Sequence, residues 1–270
     1  MQKFYVALEL PAKHLRQCSR RTKTKIIAQT NFILIRTTIF LIILICIAPT
    51  FFRQPNILQD LQSDYFTVIG EQRQITLTEG SRLLLNTDSA VKIDINNNVR
   101  RVQLLRGEVF FEVAHDANRP FLVDAGNTHA RVTGTAFSVN LRNKHVVITV
   151  AEGTVESSST INSTKITSLI PGESITYDEQ QLTRLQTTDL RQALAWRQGQ
   201  IVFIQTKLAD VVAEMNRYRR GHIMIIDSKL SNRLITGVFS INRINDAIPE
   251  LKQTLGIPTH QFANYLVLLG

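Results

Sequence analysis

Cysteine is nearly absent: the 270 residues hold two, Cys18 and Cys46. Residues 53 to 270 contain none, so this stretch has no disulfide framework and must hold its fold by packing. Tryptophan occurs once, at Trp196. No glycine-rich phosphate loop is present, and His14, His115, His129, His145, His222 and His260 show no metal-ligand spacing, so no cofactor and no metal are expected. Acidic residues are missing from the start of the chain, where residues 1 to 36 carry eight cations against Glu9 alone, a net of +7 out of +9. The other 234 residues are almost balanced at +2. The basicity belongs to a short tail and not to a domain, which argues against a nucleic-acid partner.

Charge then disappears. Residues 31 to 52, "NFILIRTTIFLIILICIAPTFF", hold Arg36 as their sole charge. As a helix these 22 residues would reach about 33 Å, enough for a hydrocarbon core of about 30 Å. Arg36 would lie near the N-terminal interface and snorkel outward. A cleaved secretory signal fits less well, because Cys46 and Ala48 are followed by Pro49. A buried core helix fits worse, since no polar face is marked. The spacing predicts a single transmembrane helix over 31–52 behind a basic cytoplasmic tail, 1–30, with residues 53 to 270 outside.

From Phe66 to Tyr177 short β-type runs ("FTVI", "RQITL", "SRLLL", "AVKIDI", "EVFFEVA", "TAFSVN", "HVVITV") are parted by turn residues such as "TEG", "NNN" and "AGN". This predicts a mainly β protein whose first outer domain, 53–184, is all-β, either a sandwich or a solenoid-like stack. The polar run at 157–168 reads as a hairpin tip or exposed loop. After residue 195 the pattern changes. "QIVFIQ" reads as a strand, and Thr206 can cap a helix with apolar Leu208, Val211, Val212, Met215 and Tyr218 on one face, closed by Gly221. "HIMIID" follows as a strand. A second unit runs through "RLITGVF", a helix in "NDAIPELKQTLG" closed by Gly256, and strands near "HQFAN" and "YLVLL". Pro249 either starts that helix or kinks it. Residues 195–270 are predicted to form a small α+β module of two βαβ-like units.

The stretch "GEVFFEVAHDANRPFLVDAG", 107 to 126, concentrates residues that could carry chemistry. Glu108 and Glu112 lie on one strand face but about 13 Å apart at ~3.3 Å per residue. Ser138, His115 and Asp116 could be assembled as a triad only if adjacent residues faced each other. An enzyme is therefore not expected. Phe111 and Val113 share one face and Phe110 takes the other, predicting a strand covered on both sides. Arg119 could pair with Glu108 or Glu112, or be solvated, and His115-Asp116 reads as a turn. Gly80, Gly107, Gly134 and Gly153 fall at strand ends, where positive φ or close backbone approach is expected.

Five ordered motifs, Glu79-Gly80-Ser81, Gly107-Glu108 ahead of Phe110 and Val113, Arg119-Pro120-Phe121, Gly134-Thr135-Ala136-Phe137 and Glu152-Gly153-Thr154-Val155, together resemble the periplasmic domain of FecR-family regulators. "WRQGQIVF" from Trp196, "LADVVAEMNRYR" and "ITGVF" are similar to the short secretin and TonB N-terminal module that ends many FecR proteins. The resemblance implies an inner-membrane regulator, or anti-sigma factor, that contacts the signalling domain of a TonB-dependent outer-membrane receptor. It further implies control of an extracytoplasmic-function sigma factor, typically in response to an iron chelate. The last strand, Tyr265, Leu266, Val267, Leu268 and Leu269, either buries within its own sheet or offers an edge to that receptor. Arg217, Arg219 and Arg220 sit where a helix C-terminus favours cations in any case. FecR proteins normally carry a helical cytoplasmic domain that engages the sigma factor, whereas about 30 residues precede the span here. The output half thus departs from the family pattern, and a membrane-anchored scaffold or decoy without transcriptional output is the alternative.

Overall fold

The computed structural model describes residues 56–160, 166–178, 184–262 and 265–270. The apolar segment at 31–52 and the tail before it lie outside the described residues. Among the described residues no helix is long and apolar enough to cross a membrane. After a short helix, α1 (Ile57–Gln62), come thirteen described strands. They are β1 (Tyr65–Phe66), β2 (Arg73–Thr76), β3 (Arg82–Leu85), β4 (Ala90–Ile95), β5 (Arg100–Glu112), β6 (Phe121–Ala125) and β7 (Thr128–Val132). The series continues with β8 (Ala136–Arg142), β9 (His145–Glu152), β10 (Val155–Ser159), β11 (Thr167–Leu169), β12 (Glu173–Tyr177) and β13 (Arg184–Thr187).

β5 organises them. Its first half pairs with β4 and, in parallel, with β6, and its second half pairs with β3 and β8. One wing therefore runs β11-β10-β7-β6-β5-β4-β1 and the other β2-β3-β5-β8-β9-β12-β13. The strand changes wing at Arg106-Gly107, just past Leu105, where the register slips against β4. Gly107 is required there twice over: its φ is +85°, and a Cβ would stand 2.5 Å from the Ser89 Cα. The sheet folds over on itself and encloses a single core, to which Val102, Leu104, Phe121 and Val123 come from one wing and Leu83, Phe111, Phe137 and Ile148 from the other. Phe111 stacks on Phe137 with ring centroids 5.1 Å apart. One core shared between two wings is sandwich-like; a solenoid would divide it among repeats.

The C-terminal part starts at α2 (Leu190–Ala193), capped by the Asp189 carboxylate on the Arg191 N–H, and a tight turn at Ala195–Gln198. It contains β14 (Gln200–Lys207), α3 (Leu208–Arg217), β15 (His222–Ile225), β16 (Leu234–Ser240), α4 (Ala247–Leu255), β17 (Thr259–Phe262) and β18 (Leu266–Leu269). The two β-α-β halves interleave. β14 pairs with β16 from the other half, and β15 pairs in parallel with β18, whose far side takes β17. Neither half closes its own sheet, so both fold together around Leu208, Val211, Met215, Ile223, Leu251, Val267 and Leu269.

Two local expectations change, and one open alternative is decided. Thr206 does not cap α3: β14 runs on to Lys207, which takes the cap position, and the Thr206 hydroxyl donates to the Ile204 carbonyl at 3.3 Å. The helix stops with Tyr218 as its cap, short of Gly221. Pro249 falls in the first turn of α4, where its missing N–H has no helical partner to lose, and Gly256 closes that helix at φ +62°.

Candidate functional site

The side chains of β5 alternate between two environments. Val109 and Phe111 enter the sandwich core, while Glu108, Phe110 and Glu112 face the C-terminal module. The row Glu-x-Phe-x-Glu is a docking strip, with an aromatic side chain at its centre and a carboxylate at each end. Phe110, flanked across the sheet by Leu84 and Ser138, is 2 % exposed and joins the module's core cluster, which includes Trp196. Arg197 lies over its ring at 3.6 Å and donates to Glu112 at 3.1 Å, and Arg82 holds the other Glu112 oxygen at 2.7 Å. A cleft of about 730 Å³ opens here, walled from both modules by Arg82, Leu84, Phe110, Glu112, Leu194 and Arg197.

At the strip's other end the contacts are charged and buried. Arg217, from the last turn of α3, donates to Glu108 at 3.1 Å and to Glu214 at 2.6 Å. Arg142 from β8 donates to Glu214 at 2.9 Å, so cations and carboxylates alternate through four side chains. Asn86 Nδ2 donates to Glu108 at 2.9 Å and to the Tyr218 hydroxyl at 2.8 Å. Thr87 Oγ1 donates to the Arg217 carbonyl at 3.0 Å, and Gln72 Nε2 donates to the Trp196 carbonyl at 3.0 Å. Burial would raise the Glu214 carboxyl, but Arg217 and Arg142 outweigh it and hold it below the ordinary carboxylate value. Burial would likewise lower the Arg217 guanidinium, and the Glu214 and Glu108 carboxylates reverse that. Burial pushes the Tyr218 phenol well above its usual value. The network is thus charged on both sides, and it joins residues 109 positions apart.

The remaining signature residues build the frame behind this strip. Ser81 Oγ donates to Glu79 at 2.8 Å and accepts from the Ala114 N–H at 2.9 Å. Arg100, 1 % exposed, donates to the carbonyls of Arg119, Ala114 and Asp116 at 2.7, 2.9 and 3.2 Å. It therefore pins the loop that delivers Pro120 and Phe121 to β6. Sequence reading passed over Arg100, one of several cations in this strand with nothing in the pattern to mark it as buried. Gly134 fits against His115, whose Nδ1 would be 2.6 Å and Cα 2.9 Å from an added Cβ. Thr135 Oγ1 donates to the Thr154 carbonyl at 2.9 Å beside Gly153, Val113 N–H donates to the Thr135 carbonyl at 3.1 Å, and Glu152 ends β9 opposite Ala136.

Two candidate pairings fall elsewhere. Arg119 pairs with Asp116 at 2.9 Å and with neither Glu108 nor Glu112, because those carboxylates turn toward the module while Arg119 leaves the sheet in the loop before β6. Its hydrogen bond lowers the Asp116 carboxyl. Leu266–Leu269 forms the middle strand of its sheet, with β15 on one side and β17 on the other, so neither edge of it is open to a partner strand. Among the described residues no group of three His, Cys, Asp or Glu side chains is placed to hold a metal.

The fold and strip define a β sandwich braced by an α+β module through a buried ionic seam. Residues 63–156 match the family model described as FecR protein. Two crystal structures of a protein described as a candidate anti-sigma factor from Parabacteroides distasonis share the fold. One has a TM-score of 0.65 at 22 % identity, covering 76 % of this chain and 97 % of that one. The other has a TM-score of 0.64 at 22 % identity, covering 76 % and 96 %. No curated protein matches in sequence.

Proposed function

We propose that this chain is a single-pass inner-membrane regulator of an extracytoplasmic-function sigma factor, anchored by residues 31–52 with the described domain in the periplasm. Its input is the signalling domain of a TonB-dependent outer-membrane receptor of the iron-chelate type. The observation that carries this reading is the FecR domain at 63–156, set in a fold shared over 76 % of the chain with the candidate anti-sigma factor. The seam supports it physically. A relay must pass a load from the C-terminal module to the sandwich without dissipating it, and a strip held by Arg197 at one end and Arg217 at the other provides a stiff path. The reading assigns no catalysis: Glu108 and Glu112, the carboxylates nearest to a hydrolase pair, are engaged by arginines. Deleting the gene in its native host and sequencing the RNA tests the proposal. A discrete change that includes an outer-membrane receptor gene is expected; an unchanged transcriptome under chelate-replete and chelate-starved conditions refutes it.

A further inference from the structure

Leu58 and Leu61, three positions apart and hence on one face of α1, are 70 % and 79 % exposed. Phe66, Val68 and Ile69 follow, each 42–46 % exposed, so five large apolar side chains stand in water within twelve positions. The acidic groups among them are turned to protein partners. The Asp60 carboxylate binds Arg106 at 2.7 Å, Asp64 accepts from the Ile93 N–H at 2.6 Å, and Glu71 accepts from the Val68 N–H at 3.1 Å. The local surface is thus apolar, with its negative charges engaged by partners. Leu58 lies six residues beyond Phe52, the end of the apolar segment. At about 3.3–3.6 Å per residue it can stand no further than about 22 Å from that segment's end.

We infer that α1 is a membrane-surface foot: Leu58 and Leu61 insert into the interfacial layer of the bilayer, fixing the height and tilt of the FecR domain above it. The occupant is lipid because the short connection keeps the two leucines within reach of the bilayer. This rests on the spanning role proposed for 31–52, and it adds a second attachment to it. Such a foot would make the sandwich pivot at the membrane when the module is loaded, in place of swinging on a free linker.

The test uses the full chain with Cys18→Ser and Cys46→Ser, carrying Leu61→Cys, Leu58→Cys, Gln62→Cys or Asn98→Cys labelled with bimane. The protein is reconstituted into phosphatidylethanolamine–phosphatidylglycerol vesicles. Lipid-attached quenchers should place the labels at 58 and 61 about 5–10 Å into the headgroup and acyl boundary, with iodide quenching lost relative to Asn98→Cys. The label at 62, on the adjoining side of the helix, should remain open to iodide and so exclude insertion driven by the label itself. Carbonate-resistant vesicle association with iodide reaching 58 and 61 as freely as 98 overturns the foot and leaves the span standing. Loss of the chain from vesicles on carbonate washing overturns both.

Discussion

Arg217→Met removes the cation that serves two carboxylates in the seam. The side chains of Arg217 and Glu108 are 14 % and 7 % exposed, so the change strands a buried charge instead of loosening a surface pair. Breaking a buried pair from one side costs about 3–5 kcal/mol. Asn86 and Ser138 still donate to Glu108, and Arg142 still holds Glu214, which points to the lower end of that range. With an m-value toward the top of the usual 1–3 kcal/mol/M, the urea midpoint falls by about 1 M. Trp196, the sole tryptophan, is 5 % exposed in the core cluster that Phe110 joins, and its carbonyl accepts from Gln72 of the sandwich, so its fluorescence reports on this joint. The measurement is urea unfolding of the full chain in detergent micelles, with Arg191→Met as the control; that arginine is exposed and pairs with Asp189. The double variant Glu108→Leu/Arg217→Met should recover much of the loss, because no uncompensated charge remains. A single variant that unfolds with the Arg191→Met control, or a double variant whose losses simply add, would refute the idea that a charge pair locks the modules together.

The lowered Glu214 carboxyl gives the seam an acid limit. Its folded value lies below the ordinary 4.5, so its contribution to stability is present above about pH 4.5 and is lost as pH falls below it. Glu214→Gln should flatten that part of a melting-temperature profile. Arg100→Met should cost about 3–5 kcal/mol in thermal unfolding, as buried carbonyls and Glu79 lose their cation. Arg100→Lys should rescue little, because an ammonium lacks the planar fork that reaches three carbonyls. Gly134→Ala should cost about 1–3 kcal/mol, and adding His115→Ala should return only part of it, since the backbone at position 115 still crowds the new methyl group.

Periodicity made much of this fold readable. The opposite facing of Phe110 and Phe111 follows from strand alternation, and both faces of β5 are indeed packed. The α3 stripe of Leu208, Val211, Val212 and Met215 is buried as its spacing requires. What stayed hidden depends on pairings between residues distant in sequence. Glu108 meets Arg217, 109 positions away, and composition offered it several arginines, of which the sequence pattern singled out Arg119. Arg100 was invisible for another reason: its acceptors are backbone carbonyls, which carry no side-chain signature. Nor could pattern alone show that the two β-α-β halves exchange strands, which is what places Leu266–Leu269 inside a sheet and not at its edge.

The relay reading is tested most directly by what the chain holds in the cell. Cells of the native host are crosslinked, the chain is purified through a C-terminal tag from inner membranes, and bound proteins are identified by mass spectrometry. The account predicts a TonB-dependent receptor and an extracytoplasmic-function sigma factor in the same eluate. An eluate containing neither would contradict it.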